Sequence, residues 1–100
     1  MNYQKTFILG RLTSDPQIRE LPNRGWVADF SVAVNINFTN KEGKQQNTEF
    51  FKIVVFGKLV DIVSQYIKKG DLVFVEGKLQ NRNCNMEIIA ETIQWQKLKL

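Results

Sequence analysis

The stretch EFFKIVVFGK, residues 49 to 58, decides the fold. In an extended strand successive side chains face opposite ways, so Phe51, Ile53 and Val55 share one side, and Phe50, Lys52, Val54, Phe56 and Lys58 share the other. The first side is an ordinary core face. The second mixes phenylalanine with lysine, although a solvated face should be polar and a buried one should exclude charge. This is therefore a strand of a sheet whose outer side has work to do.

Outward from that strand, the pattern stays β-rich. Residues 5 to 13, KTFILGRLT, read as a first strand, with Gly10 marking a bulge or a close backbone approach and Ser14-Asp15-Pro16 a turn after it. Pro22-Asn23-Arg24-Gly25 is a second turn, and the stretch beyond it alternates: Trp26, Ala28, Phe30, Val32, Val34 and Ile36 on one side, Val27, Asp29, Ser31, Ala33, Asn35 and Asn37 on the other. That is a long, half-solvated second strand. TNKEGKQQNT, residues 39 to 48, has no apolar residue and reads as a loop joining it in a hairpin to the quoted third strand.

Downstream the period changes. Leu59, Ile62, Val63, Tyr66 and Ile67 fall at helical spacing, Lys68 and Lys69 sit where a helix dipole favours cations, and Gly70 ends the helix. A fourth strand, residues 72 to 80, puts Val73, Val75 and Leu79 on one side and Phe74, Glu76, Lys78 and Gln80 on the other. A polar turn over residues 81 to 85 leads to the fifth strand, MEIIAETIQW. Three strands, a helix and two strands is the order of an all-β, five-stranded OB-fold Greek-key barrel with its helix between the third and fourth strands. An open twisted sheet with one covering helix is the rival architecture. With 100 residues the chain makes one domain, residues 1 to 100.

Composition narrows the chemistry. There is no histidine and one cysteine, Cys84, so neither a metal site of the usual kinds nor an acid/base or nucleophile set can be assembled, and no Gly-rich phosphate loop appears. The expectation is a non-enzyme without cofactor or metal. The single cysteine and the shortness of the apolar run Phe7-Ile8-Leu9 point to the cytosol. A net charge of +4 and a pI near 9.4 fit a polyanionic partner.

A single nucleic-acid strand presents unpaired bases that stack and phosphates that need cations, and aromatics interleaved with lysines match both. Phe50, Lys52, Phe56 and Lys58 supply that combination. Phe74 and Lys78 share the polar side of the fourth strand, Arg82 follows it, and Lys5 and Arg11 flank the first strand. The alternative for Phe50 and Phe56 is packing under a loop or in a subunit interface. Trp26, on the parity of Phe30 and Val32, is assigned to core or interface, and Tyr66 to the core side of the helix. An OB domain that docks protein partners, or one that binds single-stranded RNA, remains open beside DNA binding.

The segments ILGRLTSDPQIRELPN, VADFSVAVN and TEFFKIVVFGKLVDIVSQYIKKGDLVFVEGKLQNRN resemble the bacterial single-stranded-DNA-binding protein family over nearly the whole chain. The resemblance implies an OB fold, a homotetramer, and coating of single-stranded DNA without sequence specificity in replication, recombination and repair, in the cytoplasm and at the nucleoid. By position Phe38, Phe50 and Phe56 match family aromatics that stack on bases, and Lys52, Lys58, Lys69 and Arg82 match cations near the phosphate path, with Lys5 and Arg11 carried over as well. Periodicity instead puts Phe38 on the core side of the second strand, which a bend or bulge at the strand end would reconcile. Three departures are expected to matter: Cys84 stands where many members carry a further aromatic, the loop between the fourth and fifth strands is short, and the acidic-tipped tail that recruits replication and repair proteins is missing after Leu100.

Overall fold

A computed structural model describes residues 3 to 99. It contains strands β1 (Thr6–Leu12), β2 (Gln17–Leu21), β3 (Gly25–Asn40) and β4 (Gly43–Phe56), helix α1 (Lys58–Tyr66), and strands β5 (Leu72–Arg82) and β6 (Asn85–Gln96). The order β1-β5-β6-β4-β3, closed by pairing of β1 with β3, makes a five-stranded barrel, and β2 is added along the start of β3. All pairings are antiparallel except β4 with β6, where Lys52, Ile53 and Val54 lie beside Glu87, Ile88 and Ile89. The all-β barrel and the position of its helix are as the sequence predicts.

Alternation explains the interior. Ala28, Phe30 and Val32 from β3, Ile53 and Val55 from β4, Val73 and Val75 from β5, and Ile88, Ala90 and Ile93 from β6 point inward to one core. Helix α1 plugs one end with Val60 and Val63, and the following Ile67 is fully buried. The turn into the helix falls at Gly57, whose φ of 69° lies in the left-handed region that side chains resist. Gly10 is the close approach the sequence suggests: a Cβ there would run into the carbonyl oxygen of Ala33.

Residues 17 to 21, which the sequence reading leaves unassigned, form a strand although four of the five are exposed, and two expectations need correction. Residues 39 to 48 are not a loop, because β3 and β4 keep an unbroken register from Val27 opposite Phe56 to Asn40 opposite Gly43. The ribbon simply runs past the barrel, and its end is an Asx turn in which the Glu42 N–H donates to Asn40 Oδ1 at 2.8 Å. Helix α1 ends at Tyr66 with an extended Ile67, so Lys68 and Lys69 lie beyond it and no basic residue occupies its last turn.

The segment after the helix is pinned instead by a buried carboxylate. Asp71 accepts from the Lys68 N–H at 2.9 Å, the Leu98 N–H at 3.1 Å and the Lys97 ammonium at 3.1 Å. Burial pushes its carboxyl upward, but these donors outweigh burial and hold it below the usual carboxylate range.

Candidate nucleic-acid interface

The outer side of β4 carries Phe50, Lys52, Val54 and Phe56, and the barrel makes a groove of it. Val27 and Val54 are buried on this side of the sheet, separate from the main core, and form an apolar floor. The hairpin of β2 and β3 raises one wall with Arg19, Leu21 and Arg24, and the ends of β5 and β6 raise the other with Gln80, Arg82 and Glu87. The groove continues along Phe50, Asn83, Asn85 and Met86. Phe50 is 66% exposed and Phe56 is 43% exposed. With Phe51, Ile53 and Val55 alternating inward on the same strand, these two rings face solvent because the barrel's own register turns them out.

Four cations line this channel: Arg19, Arg24, Lys52 and Arg82. Arg19 is held by Asp29 at 3.1 Å and Lys52 by Glu87 at 3.2 Å. Among the described residues Arg24 and Arg82 enter no ion pair. Positive charge therefore sits along both walls, with stacking surface between them, which is the layout a single strand needs.

The other sequence-predicted residues are distributed elsewhere. Lys58 is exposed at the first residue of α1, just past Phe56, without lining the groove. Lys78 is exposed on β5 opposite Ile89, also outside the lining. Lys69 is exposed after the helix, where its backbone N–H donates to Asp15 Oδ1 at 2.8 Å. Arg11 donates from Nη1 to the carbonyl oxygen of Gly70 at 2.9 Å. Lys5 pairs with Glu76 at 2.8 Å and Glu91 at 3.3 Å, and the hydrogen bond from its ammonium to Glu76 leads the causes that raise it above the ordinary lysine range. None of these three cations lines the groove.

Phe74 belongs to a second surface. It stacks on Phe7 with ring centroids 5.8 Å apart, beside Leu9 and Trp95 on the outside of β1, β5 and β6. Phe38 occupies a third: it is exposed near the ribbon end among Asn37, Lys44 and Gln46. Because Phe38 pairs with Gln45 and Ala33 with Phe50 in one unbroken register, Phe38 and Phe50 project from opposite faces of the ribbon. No bulge brings Phe38 across; it is solvated because the ribbon has left the barrel. Trp26 is 53% exposed at the start of β3, and Tyr66 stacks on Trp95 at 5.7 Å on the outside, so neither is core.

Sequence reasoning missed Arg19 and Arg24. The exposed β2 offers no apolar alternation to detect, but the turn Pro22 to Gly25 marks a hairpin, and a hairpin beside a long strand would have placed both arginines next to it.

Residues 3–95 match the model of the Single-strand binding protein family. The chain belongs to that family. It is 38% identical to Single-stranded DNA-binding protein 2 of Staphylococcus aureus (strain Mu50 / ATCC 700699), over 91% of this chain and 70% of that one. It is 40% identical to a Single-stranded DNA-binding protein of Neisseria meningitidis serogroup B (strain ATCC BAA-335 / MC58), over 82% of this chain and 48% of that one. Among solved structures, a Plasmodium falciparum SSB in complex with ssDNA superposes with a TM-score of 0.82 at 29% identity, covering 97% of this chain and all of the other. A small single-stranded DNA-binding protein from Streptomyces coelicolor gives a TM-score of 0.80 at 25% identity, covering 96% and 95%. The barrel described above is the OB fold of these family members.

Proposed function

We propose that the chain binds single-stranded DNA without sequence specificity, coating and protecting it in replication, recombination and repair. The observation that carries this reading is the pair Phe50 and Phe56, exposed on one strand on either side of Lys52, in a channel walled by Arg24 and Arg82. Bases stack on the rings while the cations neutralise phosphates, and nothing in the channel requires a particular base order. Lys58 and Lys78, exposed just outside the channel, extend the phosphate path, and Phe38 stacks bases on the ribbon once the strand has left the groove. Lys5 and Arg11 remain with their protein partners. The relatives' names and the family support this reading, which entails a cytoplasmic, nucleoid-associated location.

The protein acts as a homotetramer. Phe7, Leu9, Phe74 and Trp95 form an uncovered apolar surface on β1, β5 and β6. On the edge facing away from β5, β1 pairs with β3 only at Arg11 and Leu12, which leaves the earlier residues of that edge open to a second copy. Contacts with replication and repair proteins follow from the same role.

The test is titration with oligo-dT, a duplex of equal length and the matching RNA at several salt concentrations, with light scattering of the free and bound protein. Tight, salt-sensitive binding to the DNA single strand by a tetramer is expected. Preference for the duplex overturns the reading, equal affinity for RNA turns it to single strands of either sugar, and a monomer removes the assembly.

A further inference from the structure

A carboxylate is out of place in a channel built for phosphates, yet Glu87 sits in the middle of it. It is 5% exposed, lies beside Lys52 in the parallel register of β4 and β6, and lines both segments of the groove. Its Oε2 is 3.2 Å from the Lys52 ammonium. Among the described residues no buried side-chain oxygen lacks a partner, and Lys52 is the one side chain paired with the Glu87 carboxylate, whose remaining accepting capacity therefore faces the groove it lines. A phosphate oxygen is repelled by such a group, whereas a base edge bearing N–H donors is attracted to it.

We propose that the Lys52–Glu87 pair reads the edge of a base stacked in the groove and favours guanine there. The inference rests on the single-strand binding proposed above. Phe50 lies on the same side of β4 as Lys52, two residues away, so a base lying on that ring directs an edge along the sheet toward the pair. Guanine presents a carbonyl oxygen, a ring N–H and an amino group in a row. The ammonium donates to the first and the carboxylate accepts from the other two, as one planar contact. Adenine and cytosine offer one amino group each. Thymine has its single N–H between two carbonyl oxygens, which the carboxylate repels. The result is a bias at one position within otherwise indiscriminate binding, and no bond or proton is transferred.

The experiment compares oligo-dT of about eight nucleotides with the same strand carrying one dG, walked through every position, and with deoxyinosine in place of that dG. Deoxyinosine keeps the carbonyl and ring N–H of guanine and lacks its amino group. At the best position dG is expected to bind about fivefold more tightly than dT, the low end of discrimination by a bidentate side chain, with deoxyinosine between them. In Glu87→Gln that ratio, taken against the variant's own affinity for plain oligo-dT, should fall toward one. Equal binding of dG and dT by the wild-type protein overturns the inference, and so does a preference that survives in Glu87→Gln, which would leave Glu87 only as the anchor of Lys52. Should the variant not fold, the wild-type series of dG, deoxyinosine and dT decides by itself. Failure to bind any of these strands refutes the underlying function instead.

Discussion

Replacing Arg82 by Gln removes a cation that lines both segments of the groove and that no carboxylate holds among the described residues. Arg19, in the opposite wall, already has Asp29 at 3.1 Å. A phosphate arriving at Arg82 displaces condensed counterions without competing against an acidic side chain, so this contact contributes a full increment to the salt dependence, about 0.7 in the slope of log affinity against log salt for a single strand. Across a fourfold rise in salt that increment amounts to roughly 2.6-fold in affinity. The deficit of Arg82→Gln is therefore largest at low salt and shrinks by about that factor over the range, while Arg19→Gln changes the slope by less than half as much. Fluorescence anisotropy with labelled oligo-dT at four or more salt concentrations measures both. An unchanged slope in a folded Arg82→Gln protein refutes its assignment to the phosphate path. Equal slope changes in the two variants refute the idea that pre-existing ion pairs divide these cations into two kinds.

Phe56→Ala should weaken binding by about 1–3 kcal/mol through lost stacking and leave the salt slope as it is, which separates rings from charges in the same titration. Asp71→Ala should cost about 2–3 kcal/mol of stability at neutral pH, since two backbone N–H groups lose a charged acceptor. The folded Asp71 lies below its ordinary value of 3.8, so its contribution is complete above that pH and is lost as pH falls through the folded value. Denaturant melts at pH 7 and pH 3 should show the gap between wild type and variant narrowing in acid. Gly77→Ala would drive a Cβ into the carbonyl oxygen of Ile89, where neighbouring strands cannot give way, and should lower the thermal midpoint by an amount equivalent to about 1–3 kcal/mol.

The sequence made the barrel legible wherever a strand is buried on one side only. Phe51 to Val55 and Val73 to Val75 announce themselves by period, and so do the outward rings of Phe50 and Phe56. Parity failed where burial stops. Trp26 and Phe38 lie at the two ends of β3, on the parity of the core but outside its cover, so the same rule that places Phe30 misplaces them. The polar ribbon over residues 39 to 48 is solvated on both faces and carries no hydrophobic signal, although Asn40 and Gly43, with its φ of 104°, are hairpin-turn residues. Charge alone could not sort Lys5 and Arg11 from Arg82, because their partners Glu76, Glu91 and Gly70 are remote in sequence and meet them only through the barrel's closure.

The pairing of Lys52, Ile53 and Val54 with Glu87, Ile88 and Ile89 joins segments about a third of the chain apart, and this seam, together with the β1–β3 closure, shuts the barrel. Such a long-range closure forms late, after the local hairpins. During synthesis the ribbon of β3 and β4 emerges well before β6, and the seam waits for β6 to leave the ribosome. Until then the channel has no second wall, Lys52 has no Glu87, and the core faces of β3 and β4 stand open. A nascent chain is thus blind to its ligand until β6 is made, and its period of greatest exposure to misassembly ends with that strand.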